Sequence, residues 1–284
     1  MPIAFRIVDV FTPRALAGNQ LCVVPDPVEL DAEAMQAIAQ EIGFSETTFV
    51  TKAEGDRYAM RIFTPGSELP FAGHPTLGTA FVMVGEGRVS SPATQVVAAG
   101  EIPVEVDLDA SFAWMTQLPA EFGPSFEDRE LIAGAIGLGV EDLHEDLPIG
   151  TVSTGLHIMV VPVRDVERLR RAVRDETRTR EAVTRSKADC LYLFAVTDQG
   201  VTARMFDAEF GIGEDPATGG AAGPLGAYLA EHGLAGMPGS VTIRQGEQVG
   251  RPSELHIQTE RERGAWRVRV GGGVHVVGRG EFDV

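Results

Sequence analysis

Residues 61–78 read RIFTPGSELPFAGHPTLG, and residues 204–220 read RMFDAEFGIGEDPATGG. Each stretch opens with an arginine two residues before a phenylalanine, continues through a glutamate two residues before a proline, and reaches a glycine three residues later. Arg61, Glu68, Pro70 and Gly73 thus correspond in order to Arg204, Glu214, Pro216 and Gly219. A helix with no polar face follows each glycine, predicted over Thr76–Val84 and about Gly219–Ala230, and such a helix belongs inside a domain. Upstream, Val23-Val24-Pro25 ahead of one helix is echoed by Val160-Val161-Pro162 ahead of another. The arginines lie half a chain apart. Several matches in the same order, with similar flanks, read as an internal duplication.

The rest of the chain fits two such units. Ile3–Phe11 and Gln20–Pro25 read as strands. Asp31 caps a helix with Met35, Ile38, Ala39 and Ile42 on one face, and Gly43 stops it. Glu46–Thr51 and Tyr58–Thr64 read as paired strands across a turn at Ala53-Glu54-Gly55-Asp56. Strand-like stretches run from Val96 to Thr116, and Pro119–Pro124 reads as a linker. Ser125, with Asp128 three residues on, opens a second helical segment. His157–Val163 is a strand, followed by a charged helix from about Arg164 to Arg174 whose arginines alternate with acids on a solvated face. Strands Cys190–Val196 and Val201–Phe206 precede the second glycine loop. Arg267–Val270 and Val274–Phe282 are among the strands that close the chain.

Composition narrows the function. The 284 residues suggest about two domains. With 44% apolar and 23% charged residues the chain can bury a core without staples. A net charge of −17 repels phosphate backbones and anionic lipid, so neither nucleic acid nor membrane is expected as a partner. Cys22 and Cys190 sit in apolar runs without a CxxC spacing and read as buried free thiols. A start lacking signal-peptide features and the absence of a bilayer-length apolar run make a cytoplasmic protein the expectation.

Several chemistries lack their residues. The two lysines, Lys52 and Lys187, lie in polar surroundings unsuited to a Schiff base. There is no P-loop, and Gly211-Ile212-Gly213 runs into Asp215-Pro216 rather than completing GxGxxG. His144-Glu145 lacks a second histidine at metal-binding spacing, so no metal is expected. Gly43-Phe44-Ser45-Glu46-Thr47 is only half of a nucleophile elbow and follows a helix. What remains clusters at the repeated loops. His74 sits at the mouth of the first buried helix, and Asp215 occupies the matching loop of the second, where it also fits an ordinary turn aspartate. Glu46 begins a strand between Phe44 and Phe49; held among apolar groups it would be a general acid/base, although its spacing alone better fits a solvent-facing strand end. If the units face each other, two helix N-termini with free N–H groups converge on one cleft, suited to a carboxylate or an enolate.

At these residues the sequence resembles the phenazine-biosynthesis PhzF-like family of the diaminopimelate epimerase-like superfamily, nearly end to end. The resemblance rests on Val8-Asp9-Val10-Phe11-Thr12 with Gly18-Asn19, on Gly43–Thr47, on Arg61–Gly78 and on Glu214–Gly219. It implies an α+β fold of two pseudo-repeated halves, each a curved, mainly antiparallel sheet around a central helix. The boundaries it implies are residues 1–118 and 119–272, with a C-terminal strand at about 273–284 returning to the first half. It implies a cofactor-independent isomerase, generally a homodimer, acting on a small anionic carboxylate; the phenazine enzymes convert a dihydro-hydroxyanthranilate to its keto isomer. By motif, Glu46 is the general acid/base and His74 and Asp215 hold or polarise the substrate. Gly73 and Gly219 present amides, with Gly220 beside them.

Two departures matter. Related amino-acid epimerases use facing cysteines at the two glycine loops, where this chain has Ala72 and Thr218; a two-thiol racemase is excluded. The phenazine enzymes also have serine where this chain has Gly220. That change removes a substrate contact or proton-relay group, so the resemblance does not carry the phenazine substrate itself. It also motivates the rival expectation, a non-catalytic metabolite-binding protein with the same cleft.

Overall fold

The structure, a computed structural model, describes residues 2–26, 30–208 and 213–283; Gly211 and Ile212 of the glycine-containing stretch lie outside the described residues. In the first half, β1 (Ile3–Val10) pairs antiparallel with β2 (Asn19–Val24), and α1 (Ala32–Ile42) crosses to β3 (Glu46–Glu54), parallel to β2. β3 turns at Gly55 into β4 (Arg57–Phe63), whose end pairs with the two-residue β5 (Glu68–Leu69). Next, α2 (Gly73–Gly85) crosses to β6 (Ala93–Val97), parallel to β4, and β7 (Gly100–Asp107) and β8 (Phe112–Thr116) continue antiparallel.

The second half repeats those steps after β9 (Glu121–Ser125) and α3 (Arg129–Ala135). β10 (Gly150–Ser153) pairs antiparallel with β11 (His157–Pro162), and α4 (Val166–Arg171) and α5 (Glu176–Ser186) cross to β12 (Cys190–Thr197), parallel to β11. β13 (Gly200–Asp207) turns back on β12 and pairs with the two-residue β14 (Glu214–Asp215). α6 (Gly219–Glu231) then crosses to β15 (Ser240–Gln245), parallel to β13, followed by antiparallel β16 (Ser253–Glu262) and β17 (Ala265–Phe282). Pairing type and helix placement agree at each step, and α2 and α6 are both 13 residues long.

β17 joins the halves. Ala265–Gly271 pair with β16, Arg269–Gly273 with β8, and Val274–Phe282 with β1. The strands β17, β1, β2, β3, β4, β6, β7 and β8 therefore close a ring around α2, while α6 packs inside the second sheet against β10, β11, β16 and β17. Leu77, Ala80 and Met83 of α2, like Leu225 and Leu229 of α6, are fully buried in one core cluster that runs through both halves. Each such leucine removed from water stabilises the fold by about 2 kcal/mol. Smaller clusters lie beneath α1 and beneath α3–α5.

The arginine–glutamate echo is a structural repeat. Arg61 pairs with Glu68 and Arg204 with Glu214, each through two guanidinium nitrogens, and each guanidinium lies about 5 Å over the phenylalanine two residues on. The pairs differ in burial. Arg204 also donates to the carbonyls of Leu169 and Ala172 at the end of α4.

Four details differ from the sequence expectation. Gly271-Gly272-Gly273 does not break the last strand into two; β17 is continuous for 18 residues. A Cβ on Gly272 would stand 2.4 Å from the Phe11 ring, so glycine is there because β17 crosses between the halves against packed neighbours. Pro119–Pro124 is not a free linker, since Glu121–Ser125 is β9, paired with β10. The following helix is capped by Asp128, which accepts from Leu131 N, rather than by Ser125. The charged helix ends at Arg171, and a separate one, α5, follows with its own cap at Asp175.

Candidate active site

Glu46 owes its position to a helix stop. Gly43 adopts the left-handed conformation (φ 67°) and returns its N–H to Ala39 O, ending α1 and turning the chain into β3. Parallel pairing with β2 sets Glu46 beside Leu21. His74 is the second residue of α2. Pro75 follows at a first-turn position whose N–H has no intrahelical partner, so its missing donor costs nothing. On β14 successive side chains alternate: Glu214 goes to Arg204, and Asp215 goes inward.

The fold brings all six predicted site residues together. Glu46, His74, Asp215, Gly73, Gly219 and Gly220 line one cavity. Glu46 is 7% exposed, His74 2% and Asp215 3%. The two helix mouths abut there: a Cβ on Gly73 would lie 2.4 Å from the carbonyl carbon of Gly219 and the amide nitrogen of Gly220. Only glycine permits that approach of main chain to main chain. It directs two helix N-termini, with their positive dipole ends, at one point.

The polar network divides the three side chains into different electrostatic roles. Asp215 Oδ1 accepts from Asn19 Nδ2 (2.8 Å) and Ser45 Oγ (3.1 Å), and Oδ2 accepts from Thr218 Oγ1 (2.6 Å). Burial raises the Asp215 pKa to about 6, with these donors pulling the other way. Glu46 has no such help: among the described residues its Oε2 makes no hydrogen bond. Burial first, then the charges of Asp215 and Asp207, hold its carboxyl well above the usual range.

His74 Nε2 lies 3.3 Å from Glu46 Oε2 but equally 3.3 Å from Gln20 O, and it is the carbonyl that has hydrogen-bond alignment with the ring. On the other side, Nδ1 faces the Asn19 amide at 3.1 Å. These partners fit the neutral tautomer with the proton on Nε2. Burial lowers the His74 pKa to about 3, so the ring is neutral and the contact is not an ion pair.

Asn19, Ser45, Thr218 and Gln245 belong to this network, and the sequence reading assigned none of them a role. Asn19 and Ser45 lie in the quoted motifs. Gln245 ends β15 after the second buried helix, and no local pattern marks it; its role shows only in its burial and its partners. The remaining histidines lie away from the cavity. Cys22 and Cys190 are buried free thiols; burial pushes Cys22 up to about 12. Ala72 and Thr218 stand at the N-caps of α2 and α6. Among the described residues no group of three or more His, Cys, Asp or Glu side chains is placed to hold a metal ion, and no helix is long and apolar enough to cross a membrane.

Comparison with known proteins bears on the same residues. The family described as phenazine biosynthesis-like protein (PhzC-PhzF) matches residues 8–280. A trans-2,3-dihydro-3-hydroxyanthranilate isomerase of Pseudomonas chlororaphis is 34% identical over 97% of this chain and 98% of its own. The crystal structure of a Bacillus anthracis phenazine biosynthesis protein of the PhzF family superposes with a TM-score of 0.88, at 27% identity and full coverage of both chains. A probable proline racemase from Agrobacterium radiobacter, at 12% identity, has a TM-score of 0.70 over 99% of this chain and 93% of its own, which shows a shared fold. With a family match over almost its whole length and an isomerase relative aligned nearly end to end, the chain belongs to the phenazine biosynthesis-like PhzC-PhzF family of isomerases, on a diaminopimelate epimerase-like fold.

Proposed function

We propose that this protein moves a proton between two carbons of a small cyclic or unsaturated carboxylate, without a cofactor, and that Glu46 carries the proton. The observation behind this reading is the buried Glu46 Oε2, without a hydrogen-bond partner among the described residues, lining the cavity at which two helix N-termini meet. A carboxyl in that setting changes protonation state far above pH 4.5, where it can both take and return a proton. In the first step the Glu46 carboxylate removes a proton from a substrate carbon, and the C–H electrons pass into the conjugated system as an enolate-like anion. The amides at Gly73, Gly219 and Gly220 are placed to stabilise that anion or the substrate carboxylate. In the second step the Glu46 carboxylic acid returns the proton to a different carbon, so atoms and charge balance and the enzyme is regenerated. Neutral His74 and hydrogen-bonded Asp215 hold the substrate against Glu46.

The reaction of the Pseudomonas chlororaphis relative supports the substrate class, since its named substrate is a cyclic unsaturated carboxylate. Gly220 adds no side chain to the cavity and favours a substrate different in shape. A panel of cyclic and α,β-unsaturated acids incubated with enzyme in D2O, followed by mass spectrometry, tests the reading. An isomeric product, or deuterium at carbon in recovered acid, is expected for at least one member. Binding across the panel with neither product nor exchange would favour a binding protein instead.

A further inference from the structure

Three buried side chains behind Asp215 form a chain of hydrogen bonds whose direction is fixed by chemistry. The Tyr192 hydroxyl donates to Gln245 Oε1 (2.8 Å). The Gln245 amide nitrogen donates to Thr218 Oγ1 (3.0 Å) and to the Asp215 main-chain carbonyl (2.8 Å). With its oxygen accepting from Gln245, Thr218 has one proton to give, and it gives it to Asp215 Oδ2 at 2.6 Å. Asn19 and Ser45 donate to the other oxygen. These three donors favour the anionic form of Asp215, whereas among the described residues none reaches Glu46 Oε2.

The first half contains the same trio with a different ending. Tyr58 donates to Gln95 (2.9 Å), Gln95 to Thr76 (3.0 Å), and Thr76 to the Ala72 carbonyl (2.8 Å). That version ties down the main chain at the mouth of α2 and reaches no carboxyl. The two trios are not copies of each other, because aligning Arg61 with Arg204 sets Tyr58 opposite Val201. The arrangement beside Asp215 therefore stands on its own geometry.

We propose that Tyr192, Gln245 and Thr218 form a positioning relay that commits Asp215 to accepting hydrogen bonds and leaves the mobile proton of the site on Glu46. The titratable groups around Asp215 are Glu46 on β3, His74 on α2, Cys190 and Tyr192 on β12 and Asp207 on β13. Burial keeps the cysteine and tyrosine in their neutral forms and His74 uncharged. Negative charge in the cavity is thus divided among carboxyls of which, among the described residues, Asp215 holds three side-chain donors and Glu46 none. Environments that separate two acids in this way set one as anion and the other as acid. The inference rests on the reading of Asp215 as a site residue.

The test needs no substrate. In protein carrying 13C-carboxyl aspartate, the Asp215 signal is followed from pH 4 to 9. Wild type is expected to titrate near pH 6. Thr218→Val should bind the proton about tenfold more tightly, a midpoint about one unit higher, and Thr218→Ser should restore the wild-type value. Gln245→Leu and Tyr192→Phe should move the midpoint the same way, the tyrosine change least. If Thr218→Val does not fold, the Thr218→Ser, Gln245→Leu and Tyr192→Phe proteins decide the matter. Midpoints that stay within 0.3 units of wild type (about twofold in proton affinity) in the folded Thr218→Val, Gln245→Leu and Tyr192→Phe variants would overturn the relay. Because this titration reports on Asp215 directly, its failure is distinct from failure of the D2O experiment.

Discussion

His74 Nε2 sits 3.3 Å from Glu46 Oε2, and the two groups meet as a neutral imidazole and a carboxyl group rather than as an ion pair. The histidine is expected to stay uncharged throughout the working range, so imidazole resonances of His74 should not titrate between pH 5 and 9. A His74 midpoint near 6.5, seen by 15N NMR of histidine-labelled protein, would contradict the burial argument.

The pH dependence of catalysis should come from the carboxyls. Proton abstraction needs Glu46 ionised, so kcat/KM should rise with pH, with a midpoint well above the ordinary glutamate range. Asp215 contributes to that elevation by its charge. Asp215→Asn should therefore move the rising limb toward lower pH, even as it lowers the rate by weakening substrate positioning. A limb that stays in place in Asp215→Asn would show that the two carboxyls are not electrically linked.

The same shifts affect stability. A folded-state pKa raised above its unfolded value gives stability fully present below the unfolded pKa and lost as pH rises through the folded one. For Asp215 the window runs from 3.8 to about 6. Across it the fold should lose about 3 kcal/mol from this group. Glu46 extends the loss to higher pH. Glu46→Gln should accordingly raise the melting temperature relative to wild type at pH 8 and change it little at pH 4. Equal effects at both pH values would refute the linkage.

The contact between the helix mouths predicts unequal tolerance of two glycines. Gly73→Ala forces a methyl to within 2.4 Å of main chain at Gly219 and Gly220, so the mouths must separate. A misplacement near 1 Å should cost about 100-fold in kcat/KM. By contrast, the nearest atom to a Cβ at Gly220 is Leu156 Cδ2 at 3.3 Å, a flexible side-chain end, and the Gly73 nitrogen stays at an ordinary 3.9 Å. Gly220→Ser should fold with a melting temperature close to wild type and alter which acids of the panel turn over. A wild-type rate in Gly73→Ala would count against the abutting mouths.

Much of this fold could be read from the chain because repeated punctuation is a long-range signal carried by local residues. Arg61 and Arg204, with their glutamates, mark equivalent strands, and the apolar-all-round stretches of α2 and α6 have nowhere to go but inside. What escaped depended on partners distant in sequence. Gly271–Gly273 looks like a break until Phe11 and Trp114 are packed against it. Glu121–Ser125 is exposed throughout and interrupted by Gly123 and Pro124, and becomes a strand only through β10. α5 buries only Thr179, Ala182 and Val183, too few to mark a face. At the site, the repeated loops mark His74 and Asp215, whereas the spacing of Glu46 favours a solvent-facing strand end and only its burial overturns that. Asn19 and Gln245 are ordinary polar residues whose significance lies in what they touch.

The central claim is that Glu46 carries a proton from one carbon to another. Its most direct test compares wild type and Glu46→Gln in D2O with an acid from the panel that wild type converts, following product and carbon-bound deuterium together. Wild type should give isomer with deuterium entering at the reprotonated carbon, and Glu46→Gln should lose both by at least about 1,000-fold while still binding the acid. Full turnover by Glu46→Gln with unchanged deuterium incorporation would contradict the account.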